Sequence, residues 1–203
     1  MKPFVVLYAT REGHTRRIAE YVGAKIVALG HTAEVHDVSA LREPFDVCRY
    51  RGAIIAASIH GGRHETEMVE FVKRHRRALE GMSAAFLSVS LSEAVVEATC
   101  GAEARREKAD DKVREKIALF LHATEWRPRR VEPVEGALLY SRHGALARFV
   151  MRLRAKRYCI STDTSSDHEY TDWDALERFV DEFVERTGES AAEAAPHSGI
   201  AFL

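Results

Sequence analysis

The chain has 203 residues, of which 46% are hydrophobic and 30% charged. That is the size and composition of one soluble domain with a real core, and it excludes a disordered chain. Thirty Lys and Arg stand against 31 Asp and Glu, and a net charge of -1 taken alone argues against a nucleic-acid or membrane-surface binder.

The predicted elements alternate along the chain. Phe4–Tyr8 is a continuous apolar run, as expected of a strand covered on both faces. It is too short for a signal peptide, and no apolar run approaches the roughly 20 residues that span a bilayer. Thr15–Leu29 has helical spacing, with Ile18, Val22, Ile26 and Leu29 in one stripe and Gly30 as a stop. Residues 33–38 and 52–58 read as strands. Residues 64–79 read as a helix with Met68, Phe71, Val72 and Leu79 inward. A fourth strand is expected at 84–89, a helix at 110–124 and a fifth strand at 131–139. A last helix spans 171–186, with Trp173, Leu176, Phe179, Val180 and Phe183 on its buried side and Thr171 or Asp172 as N-cap. This alternation predicts an α/β fold in three layers, a doubly wound five-stranded parallel sheet. The expected domain is 1–187, with residues 188–203 as a small-residue tail.

The charge is unevenly laid out. Residues 1–126 carry net +1, residues 127–158 carry net +7 and residues 159–203 carry net -9. The two blocks either neutralise each other in the fold or serve a partner. Cys48, Cys100 and Cys159 have no CxxC spacing, which suggests reduced thiols and a cytoplasmic setting. His60 and His64 are four apart, and His31 and His36 five apart, without a third ligand at suitable spacing. No metal is expected.

The segment after the first strand carries the chemistry. Thr10, Arg11, Glu12, Gly13, His14 and Thr15 form a short loop that opens a helix. Glycine allows close backbone approach, threonine hydroxyls donate, and the helix start is positive, which together make a phosphate site. The loop has neither GxxxxGK[ST] nor GxGxxG. Val6, Leu7, Tyr8, Thr10, Gly13, Thr15, Ala19 and Val22 match the fixed positions of the flavodoxin signature, so the chain resembles flavodoxins. The resemblance implies strand order 2-1-3-4-5 and FMN, its phosphate held by residues 10–15.

Further segments resemble the menaquinone-dependent protoporphyrinogen oxidase family. They are IAASIHGGRHETEMVEFVKRH, AFLSVSL, EWRPRRVEPVEGALLYSR, RFVMRL and TDT…YTDW, spread over about residues 2–186. The resemblance implies oxidation of protoporphyrinogen IX by FMN, with menaquinone or ubiquinone as acceptor, in haem synthesis. At the switch point of such a sheet, Ser58, Ile59, His60, Gly61 and Gly62 are expected to bring main-chain groups to the flavin edge. Ser88, Val89, Ser90, Leu91 and Ser92 form the second flanking loop, Thr162 and Asp163 complete the cofactor set, and His60 is the candidate catalytic residue.

Residues 141–170 are the expected basic insertion. Within it, residues 145–157 read as an amphipathic helix with Leu146, Phe149, Val150 and Leu153 on one side and Arg148, Arg152 and Lys156 on the other. Its apolar face packs on the domain or meets an anionic membrane. Together with Arg142 these cations are candidates for substrate propionates or lipid, which gives a cytoplasmic protein with a peripheral contact at the inner membrane face. No nucleic-acid partner is expected. The alternative reading is an electron-carrier flavodoxin relative with a protein redox partner. A third is a binding domain that has lost its flavin.

Overall fold

The computed structural model describes residues 1–42, 44–90, 103–135, 137–138, 168–169 and 171–193. The strands are β1 (Phe4–Ala9), β2 (Ala33–Asp37), β3 (Gly52–His60), β4 (Arg63–His64), β5 (Ser83–Ser90), β6 (Arg130–Glu135), β7 (Ala137–Leu138) and β8 (His168–Glu169). The helices are α1 (His14–Ala28), α2 (Thr66–Glu80), α3 (Glu103–Thr124) and α4 (Trp173–Glu193).

The main sheet runs β2-β1-β3-β5-β6, every neighbouring pair parallel. With two-residue β4 left uncounted this is the expected order 2-1-3-4-5. Alternation along each strand sends side chains to opposite faces. Phe4, Val6, Tyr8, Ile54, Ala56, Ala85 and Leu87 meet α1 and α4, where Ile18, Val22, Ile26, Phe179 and Phe183 close the layer. Val5, Leu7, Ala53, Ile55, Ala84 and Phe86 meet Met68, Phe71 and Val72 of α2, Phe120 of α3 and Trp126. Each fully buried large apolar side chain contributes about 1.5–3 kcal/mol, so the two layers are the main source of stability.

Several boundaries differ from expectation, each for a local reason. Leu29 lies just past the end of α1 and is exposed rather than part of the buried stripe. Gly30 at φ 84 turns the chain away there. The strand expected at 131–139 is two pieces: β6 stays in the sheet, whereas β7 pairs antiparallel with β8. Helix α3 starts at Glu103 instead of Asp110. Helix α4 continues through Gly188 to Glu193 instead of stopping at Arg186. Just before Gly188, buried Thr187 donates to the carbonyl of Phe183 at 2.7 Å and lies 2.8 Å from the Ser83 hydroxyl, which holds the helix at the glycine. The expected helix within residues 145–157 lies outside the described residues.

One glycine sets the spacing between α1 and β2. A Cβ on Gly23 would stand 2.5 Å from Cγ2 of Val35, a stiff β-branched side chain. Gly23→Ala is expected to lower stability by about 1–3 kcal/mol through overpacking, despite alanine's better helix propensity. Urea denaturation of the Gly23→Ala, Val35→Ala cycle checks this. The alanine at position 23 should cost much less when Val35 is already truncated, and an unchanged cost would reject the contact.

Candidate functional site

The carboxyl ends of β1, β3 and β5 lie side by side, since Ala9 pairs with Ala57 and Ser58 with Val89. Ligands of such sheets bind there. The loop between β1 and α1 is built around Gly13, which takes φ 88 as the residue before the helix. Glycine adopts that left-handed conformation without the steric cost a side chain would bring. The Thr10 hydroxyl oxygen accepts the Gly13 N–H at 3.0 Å, and the hydroxyl keeps one proton of its own to donate. No side chain caps α1 and no acidic residue stands in its first turn. An uncapped helix start of this kind is able to receive an anion. Thr15 is buried in the same turn.

The other loop residues are anchors. Arg11 donates through Nε to Glu65 Oε2 at 2.7 Å and through Nη2 to Glu67 at 2.8 Å. Glu65, then Glu67, holds its guanidinium still more firmly protonated than usual. Buried His14 places Nε2 at 2.8 Å from the Thr171 hydroxyl. Glu12 is half-buried beside them.

The segment expected to reach the flavin edge, residues 58–62, is the turn of a tight hairpin. Strand β3 continues through Ser58 and Ile59 to His60, and β4 returns with Ile59 opposite His64 and His60 opposite Arg63. Gly61 and Gly62 take φ 59 and 80, as a two-residue hairpin with both central residues at positive φ requires. His60 is exposed at its edge. Ser58 donates to Glu65 Oε1 at 2.9 Å, so Glu65, only 4% exposed, joins the hairpin base to Arg11 of the first loop.

Ser88 and Ser90 prove to be strand residues, not loop residues, and both are buried. Ser88 points toward the α2 and α3 side, where its hydroxyl lies 2.9 Å from His64 Nε2. It therefore does not offer that hydroxyl to a ring at the sheet edge. His64 packs against Phe86 and Phe120, and burial lowers its pKa to about 4. Val89 lies on the opposite face in the core. Leu91, Ser92, Thr162, Asp163, Arg142, Arg148, Arg152 and Lys156 lie outside the described residues.

Sequence reasoning missed Glu65 and the true place of His64. A carboxylate and an imidazole immediately after a Gly-Gly pair were the available signal. Among the described residues no group of three or more His, Cys, Asp or Glu comes together to hold a metal.

The sequence model of the family described as Flavodoxin domain matches residues 5–165. A protein named protoporphyrinogen IX dehydrogenase [quinone] from Escherichia coli (strain K12) is 33% identical over 183 residues, which is 90% of this chain and 95% of that protein. One of the same name from Leishmania major is 27% identical over 185 residues, 89% of this chain and 74% of its own. Oxidised Flavodoxin 1 from Bacillus cereus superposes with a TM-score of 0.51 at 16% identity, over 90% of this chain and 97% of that one. A flavodoxin from the domain Archaea gives a TM-score of 0.51 at 13% identity, covering 92% and 99%. At these identities the two structures bear on the fold alone.

Proposed function

The chain belongs to the flavodoxin-fold protoporphyrinogen IX dehydrogenase family, and on that premise we propose that it is an FMN-dependent enzyme that oxidises protoporphyrinogen IX and passes the electrons to a quinone. The observation that carries the cofactor reading is the uncapped start of α1 beside Thr10, Gly13 and Thr15, whose donor set fits a phosphate.

Bound FMN would supply the acceptor for an electron pair. The chain's own residues bind and orient. Thr10, Thr15 and the first N–H groups of α1 hold the phosphate. The hairpin 58–62 presents main-chain groups to the ring edge, and its two glycines leave that edge open. Glu65 keeps hairpin and phosphate loop at a fixed separation through Ser58 and Arg11. His60, exposed on the last residue of β3, is the proposed acceptor of a proton released by the substrate at its imidazole nitrogen. The quinone is membrane-borne, and the basic residues 145–157 are the proposed surface contact. No helix among the described residues is long and apolar enough to cross a membrane.

The test is anaerobic. Protoporphyrinogen IX should bleach the visible flavin band of the FMN-loaded protein, and a menaquinone analogue should restore it. If protoporphyrinogen leaves the band unchanged while a pyridine-nucleotide-linked reductase bleaches it readily, the protein is an electron carrier and this reading is abandoned.

A further inference from the structure

The triplet Thr171-Asp172-Trp173 has no task in the chemistry above, yet each of its side chains is engaged. Asp172 accepts the Ala175 N–H at 2.9 Å and so starts α4. Trp173 lies against α1, with the Tyr21 ring at 4.7 Å, the Arg17 guanidinium at 5.2 Å and the His14 ring edge-on at 6.5 Å. Thr171 is the junction. Its hydroxyl donates to the Glu135 carbonyl at 2.8 Å and meets His14 Nε2 at 2.8 Å.

A threonine hydroxyl carries a single proton. With that proton on the Glu135 carbonyl, the hydrogen between Thr171 and His14 must come from the imidazole. His14 is therefore the Nε2–H donor, whether or not Nδ1 is protonated. The position of this ring matters because His14 opens α1, between Gly13 at φ 88 and buried Thr15. Its backbone is part of the turn that faces an incoming phosphate. The loop between β1 and α1 is thus braced from two remote places, the end of β6 and the start of α4. Bracing of this kind is what keeps binding groups within the tolerance that a site demands.

We infer that His14, held by Thr171, is a positioning residue of the phosphate loop: the chain Glu135–Thr171–His14 fixes one imidazole tautomer and, with it, the first turn of α1. The inference rests on the FMN reading for its ligand but not for its geometry. It touches only the phosphate end of that ligand, so FMN should sense it and riboflavin, which lacks the phosphate, should not.

The experiment compares wild type with Thr171→Val, which removes the hydroxyl at nearly constant shape, and Thr171→Ser, which restores it. Flavin fluorescence titrations give the affinities of the apoproteins for FMN and riboflavin. Nitrogen-15 NMR of labelled histidine in the same apoproteins reports the His14 tautomer. Thr171→Val should weaken FMN about tenfold, which is about 1.4 kcal/mol, and leave riboflavin within about twofold. His14 should pass from pure Nε2–H to a tautomer mixture, and Thr171→Ser should recover both readouts. If the valine variant does not fold, Thr171→Ala carries the same comparison. Equal weakening of both flavins, or unchanged FMN binding, overturns the positioning role, and an unchanged tautomer overturns the hydrogen-bond chain. Wild type that binds neither flavin overturns the FMN reading instead, and the tautomer still decides the chain.

Discussion

Between pH 6.5 and pH 4 the protein should lose about 3 kcal/mol of stability through one side chain, His64. The imidazole is 6% exposed, stands 5.2 Å from the Phe86 ring and 5.0 Å from the Phe120 ring, and bonds the fully buried Ser88 hydroxyl. Burial is the cause of its lowered pKa, because charge is poorly solvated there. In the unfolded chain the same group titrates near its ordinary 6.5. Between the two values the unfolded state binds the extra proton, so stability is complete above pH 6.5 and declines as the pH falls toward 4. Carboxylates titrate in the lower part of that window, so the total slope is not enough to identify His64. The double variant His64→Phe, Ser88→Ala removes both polar partners and keeps the aromatic packing, a change that can be nearly neutral at pH 7. Urea unfolding at about pH 7.5 and about pH 4.5 should show wild type losing about 2.5 kcal/mol more than the double variant. Equal losses would mean that His64 is not the group responsible. The effect reaches the site because His64 is half of β4, opposite Ile59, and so anchors the returning arm of the hairpin.

The central strands of the sheet were readable from sequence because they are buried on both faces. Val5–Tyr8 and Ala53–Ala57 are apolar without a break, which a half-exposed strand would not be. Helix α2 was readable because Met68, Phe71, Val72 and Leu79 keep a single stripe, and all four are buried. The turn between β1 and α1 was readable because its signals are local: a strand end, a glycine and two threonines within six residues. What escaped was set by partners distant in sequence. The Gly61-Gly62 pair signals a hairpin when strands flank it, but the returning strand is only Arg63 and His64, too short to display alternation. Ser88 looks like a loop hydroxyl until His64, 24 residues away, claims it from below. Glu65 looks like a helix-start carboxylate, and its role depends on Arg11, 54 residues earlier. Gly188 reads as a helix stop because glycine costs about 1 kcal/mol against alanine. It is overridden by the buried Thr187 beside it, which bonds within the helix and to β5.

Thr10→Val should raise the dissociation constant for FMN about a hundredfold, or about 3 kcal/mol, while changing riboflavin affinity by less than about threefold. The hydroxyl has two uses. As acceptor it takes the Gly13 N–H at 3.0 Å, which fixes the turn at φ 88. As donor it has its proton left for a phosphate oxygen, and a hydrogen bond to a charged group contributes about 1.5–3 kcal/mol. Valine has nearly the same shape and supplies neither. It also leaves the Gly13 N–H without its partner, at a cost of about 1 kcal/mol in loop order. Both losses would fall on the bound phosphate rather than on the ring, whose proposed contacts come from the hairpin at residues 58–62. Thr10→Ser keeps the hydroxyl and should bind FMN within about threefold of wild type. The effect of Thr10→Val should exceed that of Thr171→Val, because Thr10 is the proposed direct contact to the phosphate whereas Thr171 acts through His14. A Thr10→Val protein that binds FMN as tightly as wild type would place the phosphate elsewhere, and the reading of residues 10–15 as its cradle would fall with it.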